Sequence, residues 1–141
     1  MAENSLLKKF EYQRRIYHRN TDSAGVVYYA DYLVFFEEAR AEWLRSYNFS
    51  QADIVNDFKT LILVKKIHEM NFIKPAIMDD LLVIECTLLT YSKVSFTIEQ
   101  IARNLNGDSL VSAKIDLLSV DSTSMRPKRT PTTLLESLSQ G

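Results

Sequence analysis

Between Tyr28 and Tyr47 the chain sets Tyr32, Phe36, Ala39, Trp43 and Tyr47 at helical spacing, with Leu33, Phe35 and Leu44 widening the stripe. A helix this apolar has to be enclosed, and the segments around it have the period of strands. "FEYQRRIYH" puts Phe10, Tyr12, Ile16 and His18 on one face. "TLILVKKIHEMNFI" is long and β-branched, and "LLVIECTLLTY" aligns Leu82, Ile84, Cys86 and Leu88. "VSFTIEQIARN" aligns Val94, Phe96 and Ile98, and "SLVSAKIDLLSV" aligns Val111, Ala113, Ile115 and Leu117. The expected order is one strand, a long helix, then four strands joined largely as an antiparallel meander. Asn106-Gly107 would turn the last two strands through a type I′ hairpin, whose central residues both need positive φ. The layout is α+β: a curved antiparallel sheet of about five strands wrapped around one long central helix. Its exposed edges are an aggregation hazard, so they are expected to pair in a partner subunit. On the wet side of the helix Glu37 with Arg40, and Glu42 with Arg45, would form pairs worth a few tenths of a kcal/mol.

At 141 residues the chain reads as one domain, 1–141, with loose ends at 1–9 and 136–141 ("TLLESLSQG" forming the tail). A net charge of −1 argues against a broad nucleic-acid-binding face. The single cysteine, Cys86, rules out an internal disulfide framework and fits a reducing compartment. With His18 and His68 far apart, no zinc-ligand spacing can be written. "MAENSLLKKF" has no signal-peptide core, and no apolar run approaches the roughly 20 residues of a membrane span. The expected location is the cytoplasm.

One loop carries the special-purpose residues: "YHRNTDSAGVVYYADY", residues 17 to 32. Asp22 stands in the turn entering the helix, whose first turn presents free N–H groups and a positive dipole end. Such donors can hold a carbonyl oxygen and stabilise the oxyanion formed on attack. A carboxylate opposite could attack the carbonyl or activate water. Ala24 and Gly25 would let backbone approach a ligand closely. Asp, Asn, Ser and Thr in loops also cap turns by purely local hydrogen bonds, the commoner use of an arbitrary Asp. Spacing alone leaves both readings open.

"TDSAGVVYYADYLVFFEEAR" resembles the signature of hotdog-fold acyl-CoA thioesterases of the 4-hydroxybenzoyl-CoA thioesterase type, including the YbgC-like bacterial enzymes. "FIKPAIMDDLLVIECTLLTYSKVSFTIEQI" and "VDSTSMRPKRTP" resemble later parts of that family, so the likeness runs over residues 10 to 135. It implies Asp22 as catalytic nucleophile or general base, and Tyr29 as the residue whose backbone N–H polarises the thioester carbonyl. Gly25 would let the turn close, and Tyr32 would line the acyl pocket or pack beneath it. Asn20 replaces the outer acid of the family's usual Asp-Thr-Asp. Tyr29 stands where many YbgC-like members carry His and the aromatic-acyl branch carries Tyr. The resemblance further implies an acyl-CoA substrate bound between the subunits of a homodimer or homotetramer, with no cofactor, since coenzyme A is part of the substrate.

Arg126, Lys128 and Arg129, in "MRPKRTP", and Lys93, in "TYSKVSF", are candidates for the coenzyme A phosphates, or else solvated surface charges. Ser92 and Ser95 are weaker candidates for the pantetheine arm. His18 and His68 read as structural, Cys86 as an inert buried thiol, and the Phe35-Phe36 and Trp43 cluster as helix core. Two alternatives remain in view. One is hydrolysis of acyl groups on acyl carrier protein, for which "MRPKRTP" would be a docking face, or of 1,4-dihydroxy-2-naphthoyl-CoA. The other is a non-catalytic acyl-group binder.

Overall fold

The computed structural model describes residues 9–140. Strand β1 (Phe10–Arg15) is followed by a 3-10 turn at His18–Asn20, a loop, and helix α1 (Asp31–Ser46). A short helix α2 (Gln51–Phe58) precedes β2 (Thr60–Phe72). Then come β3 (Leu81–Tyr91), β4 (Ser95–Arg103), β5 (Ser109–Asp121) and a last helix α3 (Thr132–Gln140). The strands form one antiparallel sheet in the order β1-β3-β4-β5-β2. The expected α+β architecture is therefore present, with β1 and β2 as its edges. Among the described residues no helix is long and apolar enough to cross a membrane.

The apolar stripe of α1 is the inner half of the core. Tyr32, Phe35, Phe36, Ala39, Trp43 and Leu44 are buried, and they recur every three or four residues because 3.6 residues make a turn. The other half comes from alternate strand residues: Leu82, Ile84 and Cys86 of β3, Phe96 and Ile98 of β4, and Val111, Ala113, Ile115 and Leu117 of β5. Glu38 fastens α1 to β1, its Oε1 accepting from Tyr12 Oη at 3.0 Å and Arg14 Nε at 2.9 Å. The Arg14 guanidinium also lies 4.6 Å from the Phe35 ring centre. Of the two expected surface pairs, Glu42 with Arg45 forms. Arg40 turns inward instead, donating to Gln100 Oε1 at 2.9 Å.

Several local expectations are corrected. Strand β1 stops at Arg15, and the 3-10 turn leaves His18 exposed rather than on the core face. The turn wins because Asn20 Oδ1 accepts the Tyr17 N–H at 2.9 Å, ending the extended run. Helix α1 begins at Asp31 rather than Tyr28, since the Tyr28 N–H is drawn back to Asn20 O at 2.8 Å. The meander is limited to β3, β4 and β5; β2 crosses to the far edge and pairs with β5. Residues 73–80 make that crossing over the end of the sheet. Ile73 N–H donates to Leu110 O at 2.7 Å, Ala76 O accepts from Val27 N–H at 2.9 Å, and Asp79 N–H donates to Ile16 O at 2.8 Å.

The Asn106-Gly107 turn is not type I′. Only Gly107 has positive φ (87°), with Gly107 N–H donating to Asn104 O at 3.0 Å and Asn104 N–H to Asp108 O at 3.1 Å. That is a three-residue connection, a type I turn closed by a left-handed glycine. The expected loose tail is helical from Thr132 to Gln140, with Leu134 and Leu138 buried in the core cluster. Residues 1–8 of the expected loose N-terminus, and Gly141, lie outside the described residues.

Candidate active site

Four segments meet at one end of the sheet: the loop after the 3-10 turn, the start of α1, the end of β2 with its crossing segment, and the start of β5. Asn20 ties the first two together. Its side chain is 5% exposed; besides Tyr17, it reaches Asp31 Oδ2 at 3.0 Å through Nδ2, while its carbonyl holds Tyr28. Asn20 thus supplies both an acceptor and a donor, and Asp31 uses the donor. An acid at position 20 would face Asp31 carboxylate to carboxylate.

The loop itself is a small hairpin, with Thr21 bridged to Val27 and Val26 to Ile77. Gly25 N–H donates to Asp22 O at 3.0 Å, Asp22 N–H donates to Val26 O at 2.9 Å, and Gly25 has φ of 80°. This is the same turn as Asn104–Asp108, built on the chain's other described positive-φ glycine. The side chains match too. Ala24 N–H donates to Asp22 Oδ1 at 2.9 Å, and Asn106 N–H donates to Asn104 Oδ1 at 3.0 Å. Asp22 is therefore a turn cap as well as a candidate reactive group. Asn104 performs the same capping without a charge.

Asp22 is exposed and lines a cleft of about 320 Å³ together with Val26, Val27, Tyr29, Tyr32, Phe72 and Lys74. The Tyr29 N–H makes no hydrogen bond to the described residues, as befits the entry of a helix. Asp31, Tyr32 and Leu33 already donate to carbonyls three residues back, at 2.9, 3.3 and 3.1 Å. The Tyr29 ring packs edge-on against Phe72, centroids 6.3 Å apart, and Tyr32 meets Phe72 at 6.1 Å. Tyr32 is 3% exposed, so it both lines the cleft and packs under it. Burial pushes its phenol up to about 12, against the lowering effect of a backbone hydrogen bond at Ala76. Tyr28, which packs against Tyr29 with ring centroids 4.9 Å apart, is also held above its ordinary value, foremost by the influence of the neighbouring Tyr29 hydroxyl.

Asp22, Gly25, Tyr29 and Tyr32 are thus brought together. The basic residues are not. Lys128 Nζ donates to Phe58 O at 2.7 Å, Arg126 O accepts from Asp121 N–H at 2.8 Å, and Lys93 O accepts from Thr130 N–H at 2.9 Å. These contacts, and Arg129 next to Thr130, lie at the Thr60 end of β2, whereas the cleft is at the Phe72 end. β2 has 13 residues, so within one chain the separation is roughly 40 Å. Ser92 and Ser95 bond one another at 2.9 Å in the same distant turn. Phe72, Ile73, Lys74, Pro75 and Val111 are cleft residues that the sequence reading missed. The signal was faint: "FIKP" ends a β-branched run in a proline, where a strand must stop.

A five-stranded antiparallel sheet around one long helix, with the cleft at the helix entry, is the hotdog fold. A match to the thioesterase superfamily spans residues 24–111, and the chain belongs to that superfamily. It is accordingly an enzyme, a thioester hydrolase. The acyl-CoA thioester hydrolase YbgC of Escherichia coli O6:H1 is 30% identical over 131 residues, covering 93% of this chain and 96% of that one. The acyl-CoA thioesterase YbgC of Haemophilus influenzae is 34% identical, covering 86% and 88% respectively. Among solved structures, a probable thioesterase from Bartonella henselae aligns with a TM-score of 0.83 at 31% identity, over 88% of this chain and 100% of that one.

Proposed function

We propose that this protein hydrolyses acyl-CoA thioesters to a free acid and coenzyme A, with Asp22 as nucleophile or general base. The thioester carbonyl oxygen lies at the Tyr29 N–H, where the helix dipole and an unspent donor favour developing negative charge. Asp22 Oδ2, the oxygen not used in the turn, acts on the carbonyl carbon. As nucleophile it forms a mixed anhydride, expelling the coenzyme A thiolate, and water then regenerates the carboxylate. As base it takes a proton from water as that water attacks. Tyr32, Phe72 and Tyr29 keep the acyl group dry, and Gly25 keeps the turn tight beside it.

The observation that carries this reading is the pair of matching turns. Asn104 caps its turn with an amide, so capping does not require the negative charge on Asp22, and this supports a chemical role for that carboxylate. Lys74 is the cation in the cleft, and we assign it to the nucleotide or pantetheine part of the substrate. Lys93, Arg126, Lys128 and Arg129 could reach the cleft only from a second copy, in keeping with a homodimer or a dimer of dimers. Acyl carrier protein, docked on the same basic residues, is the second substrate reading. Cytoplasmic location follows from the intracellular supply of such thioesters.

The test is free-thiol release from short aliphatic, long aliphatic and aromatic acyl-CoAs by wild type and Asp22→Asn. We expect kcat to fall about 10²–10⁴-fold with the melting temperature unchanged, because Asn holds the twin turn. Equal turnover by the two proteins would remove Asp22 from the chemistry. Inactivity of the wild type on every acyl-CoA would favour the carrier-protein reading. Lys74→Ala should raise KM for acyl-CoA and leave kcat near wild type, as expected for a purely binding contact.

A further inference from the structure

A line of polar side chains runs behind the helix entry, from the middle of α1 to its first residue. It starts at Glu38, whose Oε1 accepts from Arg14 Nε at 2.9 Å. The Arg14 side chain is 10% exposed, and its guanidinium carbon lies 4.6 Å from the Phe35 ring centre. Nη1 donates to the neighbouring carbonyl, Arg15 O, at 2.6 Å and reaches Asn20 Oδ1 at 3.5 Å. Asn20 Nδ2 then donates to Asp31 Oδ2 at 3.0 Å. One neutral amide thus stands between a largely buried cation and a carboxylate, its oxygen toward the first and its N–H toward the second. In that order each partner polarises the amide in the sense that strengthens the other contact.

The line ends on the residues that flank Tyr29. Asn20 O accepts the Tyr28 N–H at 2.8 Å, and Asp31 N–H donates to Tyr28 O at 2.9 Å. Tyr29, between them, keeps its N–H free of any partner among the described residues. The sequence period alone would carry α1 back to Tyr28, yet the helix starts at Asp31. Local preference and the observed entry disagree here, as they do where a site is built. Asn20 decides the outcome, and Arg14 orients the Asn20 amide from behind. Tyr12 Oη also donates to Glu38 Oε1, at 3.0 Å, so β1 is joined to α1 without Arg14. Nor is Arg14 among the residues that line the cleft.

We propose that Arg14 is a positioning residue for thioester hydrolysis, acting through Asn20 and Asp31 to aim the Tyr29 N–H into the cleft. This rests on the reading of Tyr29 as the donor to the thioester carbonyl. A group that only aims such a donor matters most when charge develops on the carbonyl oxygen. Its loss therefore appears in kcat and hardly in KM.

The test compares wild type with Arg14→Met, which keeps an apolar stem over Phe35 and removes the fork and its charge. kcat should fall about 10–100-fold, the cost of a small misplacement of a reacting contact, with KM within about twofold of wild type. Arg14→Lys keeps a charge facing Asn20 and should recover part of kcat. Because Arg14→Met leaves the Glu38 carboxylate without its cation, the double variant Arg14→Met with Glu38→Gln is needed too. In it the melting temperature should return toward wild type while kcat stays low. A merely structural role would bring both back together and would overturn the proposal.

A second readout needs no turnover. Amide exchange at Tyr28 should quicken about tenfold or more in Arg14→Met and in the double variant, with the β4 amides unchanged. It can be read even if the wild type is inactive on every acyl-CoA, so failure of the hydrolase reading is told apart from failure of this one. Unchanged Tyr28 exchange, or wild-type kcat in folded Arg14→Met, would mean that the helix entry is set without Arg14. A raised KM with unchanged kcat would make Arg14 a binding contact and overturn the positioning role.

Discussion

Asn20 shows how much one atom type can matter at the entry of a helix. Its amide donates to the Asp31 carboxylate at 3.0 Å in a nearly closed pocket, so Asn20→Asp sets two carboxylates against each other. We expect a loss of about 1–3 kcal/mol in chemical denaturation near neutral pH. The sign of the pH effect follows from repulsion. One carboxyl of the pair has to hold its proton more tightly in the folded state, so the penalty is full above that raised folded value, shrinks as pH falls from there toward the unfolded value of about 4, and is gone below it. A pH-independent loss would mean the amide geometry matters and the charge does not. Gly25→Ala should cost about 1–2 kcal/mol by forcing a side chain into left-handed backbone, although its Cβ would meet nothing within 4 Å. Gly107→Ala should cost the same, because the two turns are alike. Asp22, Gly25, Tyr29 and Tyr32 were legible because they sit in one stretch of sequence. Phe72, Lys74 and Val111 were not, since only the chain crossing brings them to the cleft.

Whole elements were legible where one period dominates, as in α1 and the alternating runs of β3, β4 and β5. The placement of β2 beside β5 was hidden because both of β2's possible neighbours offer similar apolar alternation. Helix α3 was hidden by its length: nine residues with a modest apolar stripe look like a tail until they dock. Its docking can be measured. Leu134 is 0% exposed, so Leu134→Ala should destabilise the fold by about 2–5 kcal/mol, whereas a loose tail would show no change. Helix α2 rests on a capping box in which Asp53 N–H donates to Ser50 Oγ at 3.0 Å and Ser50 N–H to Asp53 Oδ2 at 3.3 Å. Cys86, in the middle of β3, gives a further check on the closed core. Burial foremost pushes its thiol up to about 12. Its contribution to stability is complete below about pH 8.5, where an unfolded thiol begins to ionise, and is lost as pH rises from there toward the folded value. Iodoacetamide should label Cys86 only at the rate of unfolding; fast labelling of native protein would mean the sheet opens there.

At the scale of the molecule, the unpaired edge of β2 is the feature the single chain leaves unresolved. Tyr29, Leu33 and Val34 from the α1 end, with Leu63, Val64 and Phe72 from β2, are all large apolar residues at least 38% exposed. Isolated exposed leucines and valines are ordinary, but six drawn from the site's own helix entry and the longest free edge are harder to leave in water. The edge also carries Lys65 and Lys66 beside a bulge between Val64 and Lys66, devices that discourage indiscriminate strand addition while leaving room for one matched partner. The homodimer proposed above would cover this surface, and with it the open side of the cleft. Sedimentation at micromolar concentration should therefore give at least twice the 16.3 kDa of one chain. Val64 is 48% exposed, so Val64→Glu should be harmless to a monomer and costly to a pair. We expect it to shift the mass toward a single chain and to lower thioester turnover together, since cleft and edge share Phe72. A monomeric wild type, or a monomeric Val64→Glu with full activity, would mean that each chain holds a complete site by itself and that the distant basic residues have no part in it.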